Sequence, residues 1–300
     1  MLLAEFIHKG TEALVPLYPA AEARNLVLML CEHFLGTKSY THIVEPRYEV
    51  AAKMEAPLQE ALQRLLTGEP VQYILGKAVF CGREFVVSPA VLIPRPETEL
   101  LAREAVKLAK MVRQMRIPYG KSADPVRVLD LCTGSGNIAW TVALEVPGTH
   151  VVGADISEEA LKVARSQPFE LSGGAVAPTF VKADVLGSEK DFGYGPFDLI
   201  LSNPPYVMEK EKARMRPNVL EHEPSSALFV PDEDPLLYYE AIARWSEYML
   251  VPEGKGLTEI NSLLGPETLA LFAARFQETS LRQDFYDRDR FVFYMKRPVE

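Results

Sequence analysis

The sequence predicts an α/β protein: an open, largely parallel sheet covered by helices and preceded by a small all-helical domain. Three observations predict it. Residues 1–75 carry helical periodicity and no strand pattern, while from residue 126 short β-branched apolar runs alternate with amphipathic helical ones. A glycine-rich turn stands where the first of those runs gives way to a helix. At 300 residues the chain exceeds one typical domain. The expected division is a helical domain over 1–75, a β-hairpin linker over 76–96 and the α/β domain over 97–300.

Each element has its own signal. "MLLAEFIHKGTEAL" carries Glu5 and Glu12 among its apolar residues and has no basic leader or small-residue cleavage site, so it reads as an amphipathic helix rather than a signal peptide. In "AAEARNLVLMLCEHFLG", Leu26, Met29, Leu30, His33 and Phe34 fall on or near one helical face, with Gly36 as the stop. "APLQEALQRLLTG" gathers Leu58, Leu62, Leu65 and Leu66 and ends at Gly68. "AVFCGREFVVSPAVLIP" then reads as a hairpin around Gly82. "PRPETELLAREAVKLAKMVRQM" starts a helix with Pro96 near its first position and Glu97 and Glu99 in its first turn, where the dipole favours acids. It should run until Pro118, where the polar linker "YGKSADP" begins. Strands follow in "VRVLDL", "HVVGADI", "TFVKAD" and "FDLILSN", separated by the helical "NIAWTVALE" and "SEEALKVARSQ". "GKGLTEIN" and "RFVFYMKR" supply two more strands around a helix from about Pro266 to Phe276, the last strand antiparallel at or near an edge.

Composition narrows the function. Apolar residues make up 48% and charged residues 24%, ordinary soluble usage, and no apolar run is long enough to span a bilayer. Three distant cysteines argue against a disulfide framework and for a reducing compartment, with the cytoplasm as the default. The five histidines form no ligand-spaced pair, so no zinc site is expected. A net charge of −9 opposes extended binding to a phosphate backbone.

"VLDLCTGSGNIA" turns from strand to helix, and Gly134, Gly136 and Ala139 also satisfy a dinucleotide pattern that is weak evidence alone. Glycines let the backbone approach a ligand, and a helix N-terminus attracts a phosphate or a carboxylate. Asp130, just before the glycines, suits an ammonium group and would repel a pyrophosphate. Asp155 closes the next strand, where its oxygens can accept the two hydroxyls of a ribose. An amino acid and a ribose in one ligand describe S-adenosyl-L-methionine better than NAD, with the adenine expected near Asp184 and Val185. Both acids also fit a plainer role as helix caps.

"LILSNPPYVM" ends an apolar run with two prolines, which cannot donate backbone hydrogen bonds. By chance, N-P-P-Y arises in a chain of this length on the order of once in a thousand sequences. After the fourth strand, the motif should lie at the carboxyl edge beside the glycine loop. Methyl transfer from a sulfonium is an in-line displacement that needs the acceptor lone pair about 3 Å from the methyl. A planar NH2 group is a poor nucleophile because its lone pair is delocalised. The Asn203 side-chain oxygen and the Pro204 carbonyl can accept both its N–H bonds and stabilise charge developing on nitrogen. Pro204 and Pro205 fix the loop, and Tyr206 offers a flat face to the planar group. No general base is required, since the proton becomes acidic as the bond forms.

With both motifs in place the chain resembles the HemK/PrmC family of protein-glutamine N5-methyltransferases, in its release-factor-specific branch. The resemblance extends to "GEPVQYILGKAVFCGREFVVSPAVLIPRPETE" and "EHEPSSALFVPDEDPLLYYEAI". It implies a Rossmann-like seven-stranded methyltransferase fold, S-adenosyl-L-methionine as cofactor, and the glutamine of the Gly-Gly-Gln loop of peptide-chain release factors as substrate. The implied cofactor residues are Cys132, Thr133, Gly134, Ser135, Gly136, Asp155, Val185 and Asn203, with Asp130 meeting the ammonium group and Asp184 near the adenine. The implied acceptor site is Asn203, Pro204, Pro205 and Tyr206, with Ile93, Pro94, Arg95, Pro96 and Glu97 near the pocket mouth. Cys132 replaces a usual glycine, Val185 an aromatic found in some members, and Asn261 the glycine of a common E-I-G. A monomer is expected, with the N-terminal helices gripping the release factor. "EKEKARMRP" is a candidate partner contact that also reads as a solvated loop.

Rival readings remain at this point. N-P-P-Y serves any planar NH2 acceptor, so adenine-N6 methylation of nucleic acid is one, opposed by the acidic balance and the absence of an obvious target-recognition domain. Glutamine methylation of a large-subunit ribosomal protein is another. An NAD-dependent oxidoreductase is opposed by Asp130 and N-P-P-Y, and a non-catalytic cofactor-binding protein by the intact Asn203.

Overall fold

The computed structural model describes residues 1–116 and 124–298 and resolves into two compact units, Met1–Lys77 with Arg216–His222, and Ala78–Met215 with Glu223–Glu300. The stop at Pro118 and most of the linker "YGKSADP" lie outside the described residues.

The first unit is built from α1 (Leu3–Leu14), α2 (Ala20–Leu35), α3 (Thr41–Val44), α4 (Ala52–Leu66) and α5 (Val71–Leu75). Its core joins Leu3, Phe6, Ile7 and Leu14 of α1 to Val27 and Leu30 of α2 and Leu58 and Leu65 of α4. Each such side chain contributes roughly 1.5–3 kcal/mol on burial. The buried stripe of α2 is Ala23, Val27, Leu30 and Cys31, whereas Met29 and His33, read above as part of the inner face, are exposed. An unbroken apolar run from Leu26 to Cys31 does not single out a face, and packing on Gly10 of α1 selects the side with Val27.

The second unit opens with the hairpin β1 (Lys77–Phe80) and β2 (Arg83–Val86), whose turn places Cys81 and Gly82 at φ +48° and +75°. Then come α6 (Pro96–Arg116), β3 (Val126–Leu131), α7 (Asn137–Glu145), β4 (Thr149–Asp155), α8 (Glu158–Arg165), β5 (Thr179–Lys182) and β6 (Phe197–Ser202). A short parallel pair, β7 (Val207–Met208) and β8 (Phe229–Val230), follows; α9 (Pro217–His222), which belongs to the first unit, comes between them in chain order only. The chain continues through α10 (Leu237–Met249), β9 (Leu250–Glu259), α11 (Gly265–Ala273), β10 (Gln277–Gln283) and β11 (Asp289–Met295).

The seven-stranded sheet has the order β10-β11-β9-β6-β3-β4-β5. Its β9-β6-β3-β4-β5 stretch is parallel, and β11 runs antiparallel between β9 and β10. Both faces are covered: Val128, Leu199 and Leu201 meet α6 and α7 residues on one side, and Leu129, Ile200 and Tyr294 meet Trp245 of α10 and Phe272 of α11 on the other. That explains why β3 and β6 place apolar residues on both faces, Val128 and Leu129 in one and Leu199, Ile200 and Leu201 in the other, rather than alternating. Strand β10 and helix α10 are elements the sequence reading did not include. In "QETSLRQ" every residue keeps some exposure, as an edge strand can, so no apolar alternation marks it.

Because β3, β4, β5, β6 and β9 are parallel, Leu131, Asp155, Lys182, Ser202 and Glu259 all end at one edge. The loops that follow them gather there, where open α/β sheets bind ligands.

Candidate active site

A pocket of about 1130 Å³, counting its open mouth, lies in the second unit at this edge. Of the residues predicted for the site, Cys132, Thr133, Gly134, Ser135, Asp155, Asp184, Val185, Asn203 and Pro205 line it; Asp130, Gly136, Pro204 and Tyr206 are not among its lining residues. Pro94 and Arg95 line it too, whereas Ile93, Pro96 and Glu97 do not.

The glycine loop is held from both sides. Thr133 N–H donates to the Ala154 carbonyl at 3.0 Å, and Gly136 N–H to the Thr133 carbonyl at 2.9 Å. Asp155 accepts from Gly134 N–H at 2.9 Å and Ser157 N–H at 3.0 Å, which tie one carboxylate oxygen each to the loop and to the start of α8. Burial raises the Asp155 carboxyl, against those backbone donors. Gly134, at φ +55°, has nothing within 4 Å of where a Cβ would stand, so the loop presents bare backbone to the cavity.

Asp130 is fully buried beneath the loop. Its Oδ2 accepts from Thr133 Oγ1 at 2.6 Å and from Ala139 N–H at 3.2 Å, and its Oδ1 has no hydrogen-bond partner among the described residues. Burial pushes this carboxyl up to about 7, opposed by its two donors.

Cys132 adopts φ +59°, a left-handed conformation that costs a residue with a Cβ about 1–2 kcal/mol. Burial and the charge of Asp155 push its thiol far above the usual range. Cys132→Gly releases the backbone strain but loses thiol packing and gains unfolded-state freedom, so its stability should stay within about 1 kcal/mol of the parent. Cys132→Val, with a β-branched side chain forced into the same conformation, should lose about 2 kcal/mol or more. Urea denaturation of both variants checks the pair.

At the acceptor end Asn203 is half-buried, and its Nδ2 donates to Thr98 Oγ1 of α6 at 3.1 Å. Thr98 donates in turn to Glu259 Oε2 at 2.8 Å, and Tyr206 OH donates to Glu259 Oε1 at 3.0 Å. Tyr206 is thus drawn toward the sheet, and its backbone carbonyl accepts from Asn261 Nδ2 at 3.1 Å. Burial raises Glu259, opposed by the two hydroxyl donors and Arg290 and reinforced by Glu97. A second buried acid, Glu223, accepts from Ile93 N–H at 3.1 Å and pairs with Arg95 at 2.6 Å, fixing the "IPRP" wall of the pocket.

Thr98, Glu223 and Glu259 were not among the predicted site residues. Thr98 and Glu259 sit in quoted segments whose local signals were only a helix start and a strand end. Among the described residues, no group of three His, Cys, Asp or Glu side chains is arranged to hold a metal ion, and no helix is long and apolar enough to cross a membrane.

Family models match both units: the PrmC N-terminal domain over residues 5–76 and the Methyltransferase small domain over residues 119–224. The release factor glutamine methyltransferase of Bacteroides thetaiotaomicron is 38% identical over 282 residues, covering 94% of this chain and 95% of its own. That of Flavobacterium psychrophilum is 34% identical over 293 residues, 97% and 98% of the two chains. That of Chlorobaculum tepidum is 36% identical over 270 residues, 90% and 89%. With relatives at this identity covering nearly the whole chain, the chain is a methyltransferase that belongs to the release factor glutamine methyltransferase family.

Proposed function

We propose that this enzyme methylates the side-chain amide nitrogen of the glutamine in the Gly-Gly-Gln loop of peptide-chain release factors, working as a cytoplasmic monomer. The observation that carries the reading is that one cavity is lined both by the glycine loop and Asp155 and by Asn203 and Pro205. S-adenosylmethionine fits beside the glycine loop and Asp155. Gly134 leaves open space where a side chain would stand, Asp155 keeps lone pairs beyond its two backbone bonds, and Asp130 has an unpartnered oxygen beneath the loop. When bound, the cofactor supplies a methyl group on a sulfonium.

The chain's own residues do the rest. Gly134 and Ser135 bring backbone to the ligand, and Asp155 holds hydroxyls. The Val185 side chain gives the adenine aliphatic packing, beside Asp184, whose Oδ1 accepts from Leu186 N–H at 2.9 Å. Asn203 Oδ1 and the Pro204 carbonyl accept the two N–H bonds of the substrate amide, orient its nitrogen and stabilise the positive charge that grows on it. Pro205 closes the wall behind that group.

The test is incubation with labelled S-adenosylmethionine and either a release factor or DNA, followed by mass spectrometry of the modified residue. Label on the Gly-Gly-Gln glutamine is expected; label on adenine, or none on glutamine, would overturn the reading.

Asp130 gives a second expectation. With a carboxyl near 7 in the free protein, a cationic ligand must displace its proton at lower pH. Cofactor affinity should therefore weaken as pH falls from about 8 to about 6, with proton release on binding near neutrality. Calorimetry in buffers of different ionisation heat, with Asp130→Asn as the control that lacks the effect, checks it.

A further inference from the structure

We infer that Thr98 and Glu259 are positioning residues that fix which face of the Asn203 amide looks into the cavity. The inference rests on the functional reading above, because it concerns how Asn203 comes to present an acceptor.

A carboxamide can be turned over about its terminal bond. Turned one way, Asn203 offers an oxygen to the substrate NH2; turned the other way, it offers a second NH2, which cannot accept. The choice is made at the pocket wall, which Thr98 helps to line, and behind it, where Glu259 lies. Thr98 is 2% exposed and Glu259 is 1% exposed, so water does not compete for their hydrogen bonds. A hydroxyl has one proton, and Thr98 gives its proton to Glu259 Oε2 at 2.8 Å. The other Glu259 oxygen already accepts from Tyr206 OH. With its proton committed, Thr98 Oγ1 can only accept toward Asn203, which it does from Nδ2 at 3.1 Å. The NH2 of Asn203 is thereby held against the protein, and Oδ1 is left for the cavity. As a carboxylate Glu259 accepts from both hydroxyls; burial, with Glu97 at the start of α6, raises its carboxyl, and the two hydroxyl donors and Arg290 of β11 oppose that rise.

The same carboxylate fastens the far end of the motif. It takes the hydroxyl of Tyr206, three residues beyond Asn203, so the loop is pinned at both ends to one buried acid. Three separate stretches, α6, the N-P-P-Y loop and the end of β9, converge on it.

Thr98→Val keeps the shape of the side chain and removes the acceptor, whereas Thr98→Ser keeps the hydroxyl. In single-turnover assays on a release factor, T98V should lower the methyl-transfer rate about tenfold or more, with cofactor affinity by calorimetry within about threefold of wild type. T98S should retain the wild-type rate within about threefold. In the Asn203→Ala background, T98V should have no further effect, because Thr98 acts through Asn203. Should T98V fail to bind cofactor, Thr98→Ala takes its place with the same expectations. If N203A transfers methyl normally, the functional reading falls. If N203A is impaired but T98V matches wild type, or T98V slows N203A as much as it slows the parent, the positioning role alone falls.

Discussion

Asn203→Ala is expected to lower the rate of methyl transfer to a release-factor glutamine by about 100-fold or more, about 3 kcal/mol of transition-state stabilisation, while leaving the cofactor bound. The expectation follows from where charge grows. An amide nitrogen attacking a sulfonium methyl goes from planar and neutral toward tetrahedral and positive, and Asn203 Oδ1 acts on that change inside a partly enclosed cavity, where electrostatic interactions are strong. Alanine removes that acceptor and leaves only the Pro204 carbonyl. The fold should tolerate the change: Asn203 is half-buried, and the side-chain bond to Thr98 that it loses is worth about 0.5–1.5 kcal/mol. Single-turnover kinetics beside cofactor calorimetry separate the two effects. A rate within a few-fold of wild type would remove Asn203 from the mechanism.

The parts of this site that could be read in the sequence are those whose chemistry is local. The glycine loop, Asp155 and N-P-P-Y are contiguous or one strand apart, and each announces itself by residue type and position after a strand. The parts that could not be read are set by the register of the sheet. Thr98 and Glu259 lie 161 residues apart, and Glu223 lies 130 residues from the Ile93 N–H it holds; no periodicity links such pairs. Asp130 was legible as an acid at a strand end but not as one buried under the loop, because β3 alone does not say what covers its last residues. The charged run "EKEKARMRP" is similar: Lys212 pairs with Glu209, Arg216 with Glu22, and Glu211 accepts from Met208 N–H and Asn261. Both ion pairs are exposed, as the solvated-loop reading expects, while Glu211 ties the run to the buried Asn261. Asn261, read as a departure from glycine, bridges Glu211 and the Tyr206 carbonyl.

The two glycines of the loop should fail in different ways when each is replaced by alanine. Both have positive φ, +55° at Gly134 and +77° at Gly136, so each substitution carries about 1–2 kcal/mol of backbone strain. Their surroundings differ. A Cβ at Gly134 meets nothing within 4 Å and stands in the cavity, so G134A should cost little beyond that strain and weaken cofactor binding about tenfold or more. A Cβ at Gly136 would lie 2.8 Å from Phe180 Cζ and 3.1 Å from Ala164 Cβ. Phe180 has no room to yield, because its ring also covers Gly153, where a Cβ would lie 2.7 Å from it. One aromatic ring thus occupies the space left by two absent side chains. Overpacking there adds about 1–3 kcal/mol, so G136A should lose about 2–5 kcal/mol of stability in chemical denaturation. Equal stability losses in the two variants would contradict this division. It separates two reasons for glycine within one motif: at Gly134 the missing side chain makes room for a ligand, and at Gly136 it makes room for the core that holds the loop in place.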